Sequence, residues 1–261
     1  MASLIEIEQL GKVYESRGRE SIRALERVDL AIEANEFVTI VGPSGCGKST
    51  LLKMVGGLIP PTSGTIRLAG RQVRAPSRDV GIVFQSAVLM RWRTVLDNVL
   101  LAVEILGLDR QAYRERACEL LALVGLAGFE QRMPRELSGG MQQRAAICRA
   151  LVYNPSVLLM DEPFGALDAL TREELGLELL RIWDEHQKTV LFVTHSIPEA
   201  VLLADRVVVM TPRPGRVADV IRVELPRPRT VDMEFTPEFK AYSDAIRAHI
   251  YAGRGAQVVS A

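Results

Sequence analysis

The stretch that decides the fold reads Gly42-Pro43-Ser44-Gly45-Cys46-Gly47-Lys48-Ser49-Thr50. Its spacing, G-x-x-x-x-G-K-[ST], is that of a phosphate-binding loop. Residues 37–41 just before it are apolar or β-branched and predict a buried strand, and residues 51–55 begin a helical pattern. The stretch therefore lies between a strand and a helix N-terminus, where its mechanism requires it. An ordinary Gly-rich turn is the alternative, and the flanking elements argue against it.

Each residue type in this loop has a physical role toward a phosphate. Glycines allow backbone angles that turn successive N–H groups inward, and the helix dipole favours an anion at the helix N-terminus. Lys48 would reach the β- and γ-phosphates, and the Ser49 hydroxyl would coordinate Mg²⁺. The loop indicates a nucleoside triphosphate, but it does not show what the nucleotide is used for.

Length and composition predict a globular protein with one large domain, or one domain with subdomains. The chain has 261 residues, of which 48% are hydrophobic and 25% charged. Lys+Arg and Asp+Glu both number 32, and aromatic residues make up only 5%. A nucleic-acid binder that depends on bulk charge or on base stacking is therefore not expected.

The lack of a membrane-spanning run and of a signal peptide predicts a cytoplasmic location. No apolar run reaches the about 18 residues that a membrane span needs. The N-terminus lacks the basic segment and the long apolar core of a signal peptide. The three cysteines have no metal-like spacing, which suggests reduced thiols.

Polar side chains follow three apolar runs at the point where each predicted strand ends. These residues are Gln85, Asp161, Glu162, Thr194 and His195. Because strand carboxyl ends in an open α/β sheet converge on the ligand crevice, we expect them to face one site. Asp161 would then hold Mg²⁺, and Glu162 would polarise an attacking water. A surface Gln, a charged strand exit and an incidental His remain the alternatives for each group taken alone.

A second helix N-terminus that could bind an anion is predicted at residues 137–144, which read LSGGMQQR. Ser138 is a natural N-cap, and Gly139 and Gly140 leave the N–H groups of the first turn uncovered. A plain Ser-capped helix remains the alternative on these grounds.

The remaining segments predict a mixed architecture. Residues 4–8 and 28–33 alternate in polarity and suit a small antiparallel sheet, whereas residues 94–101 and 113–124 each indicate an amphipathic helix. Residues 237–250 predict a terminal helix. Tyr14 is either an amphipathic sheet residue or an aromatic face for adenine.

These motifs, in this order along the chain, resemble those of the ATP-binding subunit of ABC transporters. The resemblance covers about residues 3–225, and LSGGMQQR is its most specific part. It implies an α/β fold: a P-loop NTPase core with a mostly parallel sheet, an N-terminal antiparallel β subdomain and an α-helical subdomain inserted at about 86–153. Residues 1–225 would form the ATPase domain, and residues 226–261 a C-terminal linker and helix.

The resemblance also implies a role for each site residue. The catalytic residues would be Glu162, His195 and Lys48. ATP would be bound by Tyr14, Gly42, Pro43, Ser44, Gly45, Cys46, Gly47, Lys48, Ser49, Thr50 and Gln85. Mg²⁺ would be held by Ser49, Gln85 and Asp161. The ATP of a second copy would be contacted by Ser138, Gly139, Gly140 and Gln142, and the dimer interface would include Asp168.

The cofactors and partners follow from the same resemblance. The cofactors would be ATP and Mg²⁺, and ATP binding would produce a homodimer. The partners would be two membrane permease subunits and, indirectly, a periplasmic or extracellular solute-binding protein, with no nucleic acid. The chain would then lie peripherally at the cytoplasmic face of the cell membrane.

A finer resemblance is to the ATPases of nitrate/sulfonate/taurine importers. It rests on three stretches: WRTVLDNV at 92–99, PRPGR at 212–216 and LPRPR at 225–229. The chain departs from this pattern at Arg91, Gly165 and Ser196, where Pro, Ser and Asp are common. None of these changes removes a catalytic group, and Arg91 would bear on the contact with the membrane subunit.

Two other functions stay open on the sequence alone. A soluble ABC ATPase that acts on nucleic acid or ribosomes usually fuses two ATPase domains or carries long coiled coils, and this chain has one phosphate loop. A regulatory module that binds ATP without turnover would not need Glu162 and His195. The transported solute would contact other chains, so a small anion is implied by the subfamily resemblance alone.

Overall fold

The chain folds into a mixture of strands and helices. The computed structural model describes residues 3–16, 19–165, 167–186 and 188–258. Its strands are β1 (Ser3–Ser16), β2 (Arg19–Glu33), β3 (Phe37–Val41), β4 (Ser63–Leu68), β5 (Arg71–Gln72), β6 (Val80–Val83), β7 (Val157–Asp161), β8 (Thr189–Val193), β9 (Arg206–Met210) and β10 (Val217–Arg222). Its helices are α1 (Lys48–Val55), α2 (Val95–Ile105), α3 (Arg114–Leu123), α4 (Gly139–Leu151), α5 (Ala169–His186), α6 (Ile197–Leu203) and α7 (Pro237–Val258).

An antiparallel sheet with the strand order β2-β1-β4-β5 belongs to the first of two units, which takes in the described parts of residues 1–77 and 186–261. Ile5 and Ile7 of β1 are buried in alternation. An irregularity at Gln9, whose φ is 48°, then shifts the register, and Leu10 is buried next. The predicted N-terminal antiparallel sheet is confirmed.

The first unit also contains parallel strands that lead to the phosphate loop. β3 lies between β8 and β9 and is parallel to both, and β10 pairs antiparallel with β9. All five residues of β3 and all five of β8 are buried, which explains their continuous apolar runs. The register pairs Ile40 with Val193, so the segments after β3 and β8 leave the sheet at the same edge.

The second unit, Arg78–Glu185, combines two parallel strands with helices. β6 pairs with β7, and α4 packs against both α2 and α3. β6 and α4 approach closely, because a Cβ on Gly81 would lie 2.7 Å from the carbonyl oxygen of Ala150. The helical subdomain proposed for 86–153 falls inside this unit. Its bounds, and a domain boundary at 225, stay predictions.

The segment after β10 is attached to the end of α6. Arg229 is 5% exposed and donates hydrogen bonds to the carbonyl oxygens of Val201, Leu202 and Ala204. These carbonyls lie at a helix C-terminus, where intrahelical donors run out. α7 packs against α6, β9 and β10, so the predicted terminal helix is confirmed. No helix in the described ranges is both long and apolar enough to cross a bilayer.

Candidate nucleotide-binding site

The phosphate loop joins β3 to α1, as the sequence predicts. Lys48 is 6% exposed, and its Nζ donates to the carbonyl oxygens of Gly42 (2.9 Å) and Pro43 (3.2 Å). These bonds hold the ammonium against the loop backbone at the first residue of α1. A positive charge and a helix N-terminus therefore coincide, which is what an anion site requires.

The start of α1 depends on a glycine. Gly47 is the N-cap and has a φ of 103°, in the left-handed region that favours glycine. A Cβ on Gly47 would lie 2.6 Å from Leu25 Cδ2 and 3.0 Å from the carbonyl oxygen of Ala24. A Cβ on Gly45 would meet no atom within 4 Å. The loop is thus confined on the side of β2 and open at Gly45.

Tyr14 reaches the same loop from β1. Its Oη lies 3.4 Å from Oγ1 of Thr50, in a hydrogen bond in which either hydroxyl could donate. The Tyr14 side chain is 40% exposed, and Nζ of Lys12 lies 5.2 Å from the ring centroid. The ring is therefore beside the phosphate loop with part of its surface accessible, and its contact with adenine stays a prediction.

His195 is exposed just after the carboxyl end of β8. The N–H of Thr194 donates to the carbonyl oxygen of Ile40 (3.1 Å), which ties this end of β8 to the strand that leads into the phosphate loop. Ser196 caps α6 by accepting a hydrogen bond from the N–H of Glu199 (3.4 Å). The departure from Asp at this position therefore preserves an N-cap residue.

Gln85 and Glu162 meet within the second unit. Nε2 of Gln85 donates to Oε2 of Glu162 over 3.3 Å. Glu162 has a φ of 45°, in the left-handed region that non-glycine residues seldom adopt and that recurs at functional sites. It follows Asp161, the last residue of β7, which is 8% exposed. The N–H of Gly165 donates to the carbonyl oxygen of Glu162 (3.0 Å) and closes a turn there.

The predicted second anion-binding helix end is the N-terminus of α4. Oγ of Ser138 accepts a hydrogen bond from the N–H of Met141 (3.3 Å), so the N-cap is confirmed. Ser138 and Gly139 are exposed, and a Cβ on Gly139 would meet no atom within 4 Å. Gly140, in contrast, is buried. A Cβ on Gly140 would lie 3.0 Å from Cγ2 of Thr171. The first turn is therefore open on one side and packed on the other.

Two more predicted residues have partners near this helix end. Nε2 of Gln142 donates to the carbonyl oxygens of Pro134 (3.0 Å) and Leu137 (3.2 Å). The Asp168 carboxylate accepts hydrogen bonds from the N–H of Thr171 (3.0 Å) and from its hydroxyl (2.8 Å). Both bonds lower the pKa of Asp168, and the bond from the backbone N–H has the larger effect. Both side chains fix local structure. Their contacts with a second copy stay predictions.

Sequence reasoning missed two side chains of α4 that hold the segment around Gln85. Gln143 is 3% exposed, and its Nε2 donates to the carbonyl oxygen of Phe84 (3.0 Å). Arg149 donates to the carbonyl oxygens of residues 87 and 88, each over 2.8 Å. Polar residues at inward positions of an amphipathic helix were the available signal, because buried polar groups need partners.

Asn98 shapes the loop before α2. Its side chain is fully buried, accepts from the N–H of Met90 (2.6 Å) and donates to the carbonyl oxygens of Met90 (3.1 Å), Arg93 (3.1 Å) and Thr94 (2.9 Å). The loop that these bonds fix presents Trp92, which is 75% exposed. The WRTVLDNV pattern thus encodes both an exposed aromatic residue and the amide that orients its loop.

An apolar cleft of about 250 Å³ opens beside this loop in the second unit. Its lining includes Phe84, Val88, Met90, Leu101, Ile105 and Tyr153. Val88 is 51% exposed and Ile105 75%. Apolar surface therefore continues from the cleft to the outside, as at sites of protein interaction.

The sequence of the chain matches a known protein family and named relatives. A family model described as ABC transporter matches residues 25–165. A taurine import ATP-binding protein of Rhizobium johnstonii is 44% identical over 254 residues, 95% of this chain and 97% of the relative. A nitrate import ATP-binding protein of Synechocystis sp. is 44% identical over 248 residues, 93% of each chain.

A solved structure supports the fold. It is the dimeric post-hydrolysis state of the ATP-binding cassette MJ0796 bound to ADP and Pi, and it matches with a TM-score of 0.74 and 34% identity over 85% of this chain and 100% of that one. The predicted α/β, P-loop NTPase fold class is confirmed. The chain therefore belongs to the ABC transporter family, as an ATP-binding and ATP-hydrolysing subunit.

Proposed function

We propose that this chain is the ATPase of an importer for a small solute, with nitrate, a sulfonate, taurine or a related small anion as the class. The relatives named as taurine and nitrate import proteins support this class, because they are similar over more than nine-tenths of the chain. The nucleic-acid alternative gains no support from them. Residues 1–225 would carry the sites described above, and residues 226–261 would be a C-terminal linker and helix.

The observation that carries the mechanism is the Gln85–Glu162 hydrogen bond at the end of β7. A carboxylate held there would polarise the water that attacks the γ-phosphate. Lys48 would neutralise charge that develops on the phosphates, and His195 would hold the γ-phosphate and the water. Tyr14 would stack on adenine from its position beside Thr50.

Ser49, Gln85 and Asp161 are the residues that would hold Mg²⁺. A hydroxyl, an amide oxygen and a carboxylate are hard oxygen donors, which this ion prefers, so the donor set fits. Because Gln85 uses Nε2 in its hydrogen bond to Glu162, its carbonyl oxygen remains as the electron-pair donor that a metal ion needs. When bound, Mg²⁺ would neutralise charge on the β- and γ-phosphates.

Turnover would need a second copy of the chain. The open first turn of α4 offers N–H groups and a dipole to an anion. The ATP on the loop of one copy would be contacted from the other by Ser138, Gly139, Gly140 and Gln142. Asp168 would lie near that interface, and the cassette bound to ADP and Pi, which is described as a dimer, supports this arrangement.

The membrane permease subunits would dock at the apolar cleft. Ile105, which lines the cleft, is 75% exposed, and so is Trp92 in the loop before α2. Large apolar side chains that are exposed together favour a protein-interaction surface. Such docking would place the chain peripherally at the cytoplasmic face of the membrane, with a periplasmic or extracellular solute-binding protein acting indirectly. Co-purification of the permease, reconstitution, and a screen of solutes for stimulation of ATP hydrolysis would identify the solute.

Replacement of the proposed base tests the mechanism. Glu162→Gln keeps the size and the contact with Gln85 but removes the base, so we expect kcat to fall about 10²- to 10⁴-fold. ATP binding should remain, and the variant should elute as a dimer when ATP is present. Glu173→Gln, an exposed change on α5, is the matched control and should hydrolyse ATP normally. Normal hydrolysis by Glu162→Gln would remove Glu162 from the mechanism.

A further inference from the structure

The turn after β9, Thr211–Arg216, contains the PRPGR stretch, for which the proposed chemistry has no role. The N–H of Thr211 donates to the carbonyl oxygen of Arg216 (2.9 Å), and the N–H of Arg216 donates to Oγ1 of Thr211 (3.0 Å). Arg216 also pairs with Glu26 of β2, with Nη2 2.5 Å and Nε 3.2 Å from Oε2. The turn is therefore closed on itself and fastened to β2.

Gly215 brings this turn against the phosphate loop. Its N–H donates to the carbonyl oxygen of Ala24 (2.9 Å), and its carbonyl oxygen accepts from the N–H of Glu26 (3.0 Å). A Cβ on Gly215 would lie 1.9 Å from the carbonyl oxygen of Cys46 and 3.1 Å from its carbonyl carbon. Cys46 is fully buried inside the loop. The two backbones touch, with no room for a side chain between them.

We propose that the Thr211–Arg216 turn is a brace for the phosphate loop, and that Gly215 is a positioning residue for nucleotide binding. This inference rests on the proposed nucleotide site at residues 42–50. Gly215 would act through Cys46, whose own N–H donates to the carbonyl oxygen of Pro43 (3.3 Å) and so belongs to the internal bonding of the loop.

Peptide planarity explains how the brace reaches the ligand. The carbonyl of Cys46 and the N–H of Gly47 belong to one rigid peptide plane, so a push on the oxygen rotates the donor. Gly47 is the N-cap of α1, and the loop N–H groups there are the ones that would face a phosphate. A misplacement of about 1 Å in such a site can cost on the order of 10²-fold.

Gly215→Ala tests the brace directly. We expect the Kd for a fluorescent ATP analogue, and the KM for ATP, to rise about tenfold or more, with kcat at saturating ATP within about threefold of wild type. Gly64→Ala is the matched control, because its Cβ would also clash with backbone, 2.4 Å from the carbonyl oxygens of Glu8 and Gln9, but in the antiparallel sheet. It should lower the melting temperature and leave the Kd unchanged.

A milder variant covers the case in which Gly215→Ala does not fold. Arg216→Ala removes the exposed ion pair to Glu26 and should raise the Kd about threefold, whereas Arg216→Lys should stay closer to wild type. A wild-type Kd in folded Gly215→Ala would overturn the brace, and so would a wild-type Kd in Arg216→Ala if Gly215→Ala does not fold. Normal ATP binding by Lys48→Ala would instead overturn the nucleotide site itself. Weak binding by Lys48→Ala with normal binding by Gly215→Ala would overturn the brace alone.

Discussion

The N-termini of α1 and α4 are two helix ends of the same kind in very different surroundings. At α1, Gly47 has a left-handed backbone confined by β2, and Lys48 is 6% exposed with its ammonium held by loop carbonyls. At α4, Ser138 and Gly139 are exposed, and space is open around Gly139. The first helix end is enclosed by its own chain, and the second faces outward.

From this difference we expect the N-terminus of α1 to hold an anion by itself and the N-terminus of α4 only to assist. α1 adds a cation to the helix dipole, whereas the first turn of α4 contains no charged residue. A helix end without a cation contributes only about 0.3–1 kcal/mol toward an exposed anion. α4 is therefore suited to an anion that is already bound elsewhere, and the proposed second copy would present one.

Blocking the open end should have the largest effect on turnover. In Ser138→Arg, a long side chain would fill the space that a second copy's ATP must enter, so we expect hydrolysis to fall at least about 10²-fold. ATP binding to the single chain, measured with a fluorescent analogue, should stay within about threefold of wild type because the α1 site is untouched.

Ser156→Arg, another exposed serine in the second unit, is the control for that change. It should leave hydrolysis near wild type. If Ser138→Arg hydrolyses ATP normally, the phosphate loop works without α4, and the contrast between the two helix ends loses its functional meaning.

Replacing one glycine at the N-terminus of each helix should show in the free energy of unfolding that α1 begins in a packed environment and α4 in an open one. Gly47→Ala forces a left-handed alanine against Leu25 Cδ2 at 2.6 Å, and we expect about 3 kcal/mol of lost stability from backbone strain plus overpacking. Gly139→Ala meets no atom within 4 Å and lies in a helix, so stability should change by less than about 1 kcal/mol, in the stabilising direction. Urea titrations of both variants measure this. Equal losses would mean that the two ends are packed alike.

Both helix N-termini could be predicted from the sequence, because the residues that form each of them are consecutive in the chain. A buried strand, a glycine-rich loop and a helix start follow one another around Lys48, and Ser138 caps the helix that begins at the next residue. The Gln85–Glu162 bond was accessible as well, since parallel strands end at one edge.

Contacts between distant segments were not accessible to the sequence. Gln143 binds a carbonyl 59 residues away, and Arg149 binds one 61 residues away. The contact between Gly215 and Cys46 likewise joins a turn to a loop far back in the chain. Every residue has a backbone carbonyl, so the sequence does not indicate which carbonyl will accept a hydrogen bond from a given side chain.

Removal of the N-cap hydroxyl should give the smallest effect and the finest comparison of the two ends. α1 has no side-chain cap, whereas α4 is capped by the bond from the N–H of Met141 to Ser138 Oγ. Ser138→Ala should therefore cost about 1 kcal/mol, or a fall of about 2–4 °C in melting temperature. Ser138→Thr keeps an acceptor and should retain most of that stability. Suppose that both variants have the same melting temperature but only Ser138→Ala hydrolyses ATP slowly. The hydroxyl would then contribute more to contact with the nucleotide of the second copy than to the stability of the helix. The open N-terminus of α4 would be mainly a binding surface.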